Sequence, residues 1–196
     1  MASRPLEDRE EVEVKSLEEL HAWLAENHKR PEGVWLIHHK KASPHYLAMG
    51  DIVDECLCWG WVDSLSRGKD DLRTMHWIAP RKAGSNWSRV NKDKIARLQD
   101  AGRLQAAGIA MVEAAQNDGT WTALDDVENL VVPDDLAAAF DARPGSRAAW
   151  DDFPRSVRRG VLEWIFTAKT PPTRAKRIAD TADKAAKGER ANQWKS

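Results

Sequence analysis

This 196-residue sequence predicts an α+β fold. A small antiparallel sheet of about three strands with helices is expected first, followed by an all-helical C-terminal half. Two observations carry the expectation. "GVWLIHHKK" (33–41), "WVDSLSRG" (61–68) and "LRTMHWIAPR" (72–81) are short runs rich in β-formers, bounded by Gly, Pro and Asp. From about Ser88 the period changes, and apolar residues recur at helical spacing with Gly or Pro at the run ends.

The elements follow in order. The first dozen residues are highly charged and are expected to be loose. "SLEELHAWLAENH" opens on Ser16 with Glu19 three residues later, the pattern of a capping box, and Leu17, Leu20, Trp23 and Leu24 share one helical face. Pro31 and Gly33 break that run. In the first strand Trp35, Ile37 and His39 share one face, and Val34, Leu36 and His38 the other. "DIVDECLCWGW" reads as a short, largely buried helix ended by Gly60. The next two strands, joined through "KDD", pair antiparallel. "NKDKIARLQDAG" and "AAGIAMVEAAQNDG" are helices closed by Gly. A further helix starts at Pro133 to Asp135. "SVRRGVLEWIFTAK" carries a broad apolar stripe, and Pro171-Pro172 ends it while opening the last helix, which runs to Gly188. The expected domains are a flexible terminus (1–13), an α+β domain with a helical extension (14–116), an acidic connection (117–135), a helical C-terminal domain (136–190) and a tail (191–196).

Charge excludes little globally, because the net is −1, but it is unevenly spread. Ser64 to Arg97 carries nine Lys or Arg against three Asp, whereas Met111 to Asp152 carries ten acids against two Arg. Such blocks read as solvated faces, as pairing between domains, or as one basic site. Cys56 and Cys58 stand too close for an ordinary disulfide and read as reduced, buried thiols near a helix C-terminus, where the dipole disfavours a thiolate. There is no apolar signal core and no run of 18 apolar residues, so a cytoplasmic protein without a membrane span is expected. All six His lie between positions 21 and 76, but His38 and His39 point to opposite faces, and no metal is expected. No cofactor is expected either.

The densest chemistry is "WIAPRKAGSNWSRVN" (77–91). Arg81 and Lys82 supply charge, and the planar fork of Arg suits a carboxylate or phosphate. Ser85, Ser88 and Asn91 offer donors near a helix N-terminus, and Trp77 and Trp87 offer stacking surfaces. With Trp61 and Asp63 they form a candidate site for a small anionic or aromatic ligand. The competing reading makes Ser88 or Asn91 an N-cap, Trp87 a staple and Arg81 the partner of Asp63 or Asp71.

Several stretches resemble the bacterial YdeI/OmpD-associated, or bacteriocin-protection, family. They are "LCWGWVDS" (57–64), "APRKAGSNWSRVN" (79–91), "LQDAGRLQAAG" (98–108), "VPDDLAAAF" (132–140) and "LEWIFTAKTPPTRAKRIADTADKAAKGE" (162–189), and together they span nearly the whole chain. The resemblance implies a setting in stress and tolerance to antimicrobial peptides. An outer-membrane porin partner is implied only by the family name. It carries over no catalytic residue set. A non-enzymatic ligand-binding protein is therefore the first expectation. The second is a nucleic-acid-binding protein using segment 67–97, with Arg67, Arg73, Arg81, Lys82 and Arg89 beside the Trp rings. The third is an enzyme with Asp63 as acid–base and Arg81 as clamp, which lacks a second convergent base. Oligomeric state is left open.

Overall fold

A computed structural model describes residues 8–193. Its contacts divide the chain into two units, before and after the Thr122–Ala123 bond. That boundary falls inside the acidic stretch 117–135. Residues 1–7 of the expected loose terminus and 194–196 of the expected tail lie outside the described residues.

The first unit is built on a mixed sheet of four strands. They are β1 (Glu11–Glu13), β2 (Val34–His39), β3 (Trp61–Gly68) and β4 (Arg73–Pro80), in the spatial order β1-β2-β4-β3. The sheet thus has one strand more than expected, and β1 lies in the stretch read as loose. It pairs parallel to β2, with Val12 opposite Leu36, while β2–β4 and β3–β4 are antiparallel. Three residues with alternating charge hold as a strand because Val12 packs into the core and the flanking carboxylates find cations. Lys69 bonds Glu11 at 2.5 Å and Arg73 bonds Glu13 at 2.8 Å.

Helix α1 (Leu17–Asn27) starts where the capping pattern requires: Ser16 Oγ accepts from Glu19 N–H, and the Glu19 carboxylate accepts from Lys15 N–H. It packs with helix α2 (Met49–Cys58) on one sheet face, burying Leu20, Leu24, Ile52 and Cys56 against Val34, Leu36, Trp61 and Ile78. The opposite side of α2 meets α3 (Arg89–Asp100) and α4 (Ala106–Asn117) through Leu57, Cys58, Ile95, Leu98 and Val112. Two glycines permit this. Gly60 takes φ +75° to turn α2 into β3, and a Cβ on Gly108 would collide with the Cys58 carbonyl oxygen.

Because α2 is covered on both sides, its two buried acids must be paired. Asp54 accepts from Lys94 at 2.6 Å and from Arg97. Burial raises its pKa, but those two cations outweigh the burial and hold it below the ordinary carboxylate value. Glu55 joins His21 at 2.7 Å, Trp59 Nε1 at 3.1 Å and Arg103 at 3.0 Å.

The second unit contains α5 (Asp125–Glu128), α6 (Asp134–Asp141), α7 (Ser146–Asp151), α8 (Arg155–Phe166) and α9 (Pro171–Ala185). Its core gathers Leu136, Phe140, Trp150, Leu162, Ile165 and Ala182. The last helix begins with Pro in its first turn and Thr170 as N-cap, as its sequence dictates. Among the described residues no helix is long and apolar enough to cross a membrane.

Candidate ligand-binding site

The segment richest in site chemistry turns inward. Arg81 follows β4 with only 7 % of its surface exposed. Its guanidinium lies 3.8 Å from the centre of the Trp87 ring, and Nη2 donates to the carbonyls of Ser85 and Asn86. The expected pairing with Asp63 or Asp71 is therefore replaced by carbonyls of its own loop. Burial lowers its pKa from the ordinary arginine value. Trp87, 2 % exposed, packs against Trp121 at 5.0 Å and closes the α3–α4 core. Ser88 is the N-cap of α3, accepting from Asn91 N–H at 3.4 Å.

Trp61 is fully buried, with Nε1 donating to His28 O at 3.1 Å, and Trp77 is half-buried edge-on to Trp35. Asp63 is half-buried, and its charge raises the His76 pKa against the larger lowering effect of burial. Ser85 is half-buried and Lys82 exposed. The space that Arg81, Lys82, Ser85 and Trp87 share is about 10 Å³, the size of one water rather than an organic guest. These placements favour the cap-and-core reading of residues 81–91.

The wider basic segment is also largely matched. Arg67 stacks on Trp35, Lys69 meets Glu11, Arg73 meets Glu13 and Asp70, and Lys94 and Arg97 hold Asp54. The thiols are turned inward as well. Cys56 and Cys58 are buried, and burial raises both pKa values, that of Cys58 to about 11.

A different place in the fold leaves chemistry open. At one end of the sheet a cleft of about 620 Å³ is lined by Glu13 ending β1 and Lys15 beyond it, His39 ending β2, Ser43 to His45 in the next turn, and Asp70 to Arg73 entering β4. The turn folds back on the strand: Ser43 N–H donates to Lys40 O, Lys40 N–H to Leu72 O and Leu47 N–H to His39 O. That brings Ser43 Oγ to 2.9 Å from His39 Nδ1, while His39 Nε2 lies 3.2 Å from Glu13 Oε1. Ser43 and His39 are 7 % and 8 % exposed, yet both line the cleft. The neighbouring His38 points to the other face, with Nε2 2.8 Å from His76 Nδ1.

None of Glu13, Lys15, His39 or Ser43 stands out in the sequence as part of a binding site. The four-residue spacing of His39 and Ser43 is the one local signal that could have drawn two of them together. Glu13 and Arg73 join them through strand pairing across 26 and 60 residues, counted from Glu13 to His39 and to Arg73.

A second concavity of about 390 Å³ lies between α6 and α9, but its cations are taken. Arg174 grips Asp135 through two bonds of 2.7 and 2.9 Å, and Arg143 meets Asp183 at 2.5 Å.

Residues 12–111, just over half the chain, match a family model described as a domain of unknown function (DUF8412). The chain belongs to that family. Every residue of the cleft lies within the DUF8412 segment. Residues 129–188 match the model of the bacteriocin-protection, YdeI or OmpD-associated family. The resemblance expected over nearly the whole sequence is thus found in the second unit. The stretches at 57–64, 79–91 and 98–108 fall in the DUF8412 match instead. No curated protein and no solved structure matches the chain.

Proposed function

We propose that the first unit is a ligand-binding domain whose site is the cleft between Glu13, His39, Ser43 and Arg73. One contrast supports the reading above others: about 620 Å³ of accessible space here against about 10 Å³ beside Arg81. Small-molecule sites fall in the first range, with a few polar groups converging on an otherwise shaped cavity. Pro44 and Leu72 supply apolar wall, and His39 and Ser43 supply hydrogen-bonding groups on the floor.

The charge on the walls refines the ligand. Glu13, Asp70 and Asp71 face Lys15 and Arg73, three carboxylates against two cations besides the imidazoles. That balance disfavours a phosphate or other strong anion and favours a polar ligand that is neutral or cationic. The ligand class accordingly shifts from the anionic or aromatic guest expected around residues 59–91. The description of the C-terminal match supports a setting in protection against bacteriocins, with stress tolerance as its broader form.

A thermal-shift screen of small amides, esters, amines, sugar phosphates and nucleotides tests this. Neutral or cationic polar compounds should raise the unfolding midpoint. Asp71→Ala and His45→Ala should abolish the rise and Lys82→Ala should preserve it. A rise that survives both cleft variants and disappears in Lys82→Ala would return the site to the 81–91 loop.

A further inference from the structure

We infer that Ser43, His39 and Glu13 form a nucleophile–base–carboxylate relay that hydrolyses small uncharged or cationic carboxylic esters. The inference rests on the cleft being a ligand site, as proposed above, and adds a reaction to it. Hydrogen bonding fixes the direction of the relay. An ionised Glu13 only accepts, so the His39 nitrogen facing it, Nε2, carries the proton. His39 Nδ1 is then a lone pair, and the hydrogen of Ser43 Oγ, 2.9 Å away, points at it. His45 N–H donates to the same Oγ at 3.2 Å, which pins the hydroxyl and leaves one lone pair free. Glu13 is itself held: its Oε2 accepts from Arg73 Nη1 at 2.8 Å, and Arg73 Nε is anchored on Asp70 at 2.7 Å.

These are the parts that turn a weak alcohol into a nucleophile: an adjacent base, and a third group that orients the base. The imidazole presents Nδ1 to the hydroxyl and Nε2 to the carboxylate. Either ring nitrogen serves as a base once the other is protonated. Burial of Ser43 and His39 strengthens each polar contact while the cleft gives an ester access to Oγ.

The chemistry balances with water as the second reactant. Ser43 Oγ bonds to the acyl carbon as its proton passes to His39 Nδ1. The carbon–alkoxy bond breaks, and the departing alkoxide takes that proton. Water then gives a proton to Nδ1 and its oxygen bonds to the acyl carbon. The carbon–Oγ bond breaks, the proton returns to Oγ, and a carboxylic acid leaves. Lys15 lines the same cleft, and among the described residues no carboxylate pairs with its ammonium, so it is the cation free to face the charge developing on the acyl oxygen.

The test uses the full chain and p-nitrophenyl acetate, with p-nitroacetanilide as an unreactive amide analogue read by calorimetry. Wild type should release nitrophenol, and an acetyl group trapped at low pH should map to Ser43 by peptide mass spectrometry. Ser43→Ala should lower kcat/KM about 10³-fold or more, to the level set by binding alone. Glu13 is a positioning residue, so Glu13→Gln should lower kcat about 10²-fold while KM and the anilide affinity barely move. If Ser43→Ala fails to unfold cooperatively, Glu13→Gln and the acetyl mapping decide. Turnover equal in wild type and a folded Ser43→Ala, or acetylation only at other residues, overturns the inference. Saturable anilide binding without wild-type turnover overturns it while leaving the ligand site intact. Absence of both overturns the two together.

Discussion

The loop after β4 and the cleft at the other end of the same strand are made of similar residues and do opposite things. Each sets an arginine among aromatic or imidazole rings, hydroxyls and a proline. In the loop the arginine folds back: Arg81 lies flat on Trp87 and satisfies carbonyls four and five residues on. In the cleft the arginine reaches across strands: Arg73 holds Glu13, and Glu13 holds His39. A local arrangement closes on itself and becomes structure, whereas a non-local one converges from several segments and leaves a space between them. Chemical content alone does not separate the two.

The largest way to break this contrast is Trp87→Ala. The ring is 2 % exposed within the α3–α4 core, so truncation should cost about 3–5 kcal/mol in chemical denaturation. Calorimetric titration of the cleft at low temperature, where the variant remains folded, should be unchanged. A stable variant that loses ligand binding would make the loop the functional site.

Arg81→Ala should come next, at about 2 kcal/mol, because it removes the cover of Trp87 and leaves two loop carbonyls without their donor. Arg81→Lys should recover little of that, since an ammonium has neither the plane to stack nor the fork to bridge. Urea midpoints at constant slope give the comparison. Full rescue by Lys would mean that only charge matters there.

Two adjacent residues repeat the contrast on a smaller scale. His39 faces the cleft, while His38 is buried against His76. Burial first, then the neighbouring His76 and His39 charges, pushes the His38 pKa down to about 4 from 6.5. The folded state thus disfavours the protonated form. Its contribution to stability is present above about pH 6.5 and is lost as pH falls toward 4. His38→Gln should flatten the fall in stability across that window by on the order of 2 kcal/mol, while turnover in the cleft at pH 7 is retained. An unchanged pH profile would show that another group controls the acid limb.

These contrasts explain what was legible beforehand. The Ser16 and Ser88 caps and the β3–β4 pair were readable because each is encoded within a few residues. Strand β1 was not, because "EVE" is three residues long and two of them are charged; its support comes from Leu36, Lys69 and Arg73. The cleft was hidden for the same reason, since its parts become neighbours only after β1 and β4 pair with β2. Residues 81–91 read both as a site and as cap and core because a sequence shows which groups are near one another but not which way they face.

The smallest expected effect on stability is the most discriminating. Lys15 is exposed in the connection from β1 to α1, and among the described residues its ammonium is matched by no carboxylate. Lys15→Ala should therefore shift the unfolding free energy by no more than about 0.5 kcal/mol. It should nevertheless reduce ester turnover about 10-fold, because the acyl oxygen would lose its facing cation while Ser43 and His39 keep their bond. Lys82→Ala is the matched control: a lysine likewise exposed, in the loop, whose removal should change neither quantity. If the two variants prove indistinguishable in turnover, the cleft gains nothing from its wall charge, and only the geometry of Ser43, His39 and Glu13 would separate the two ends of β4.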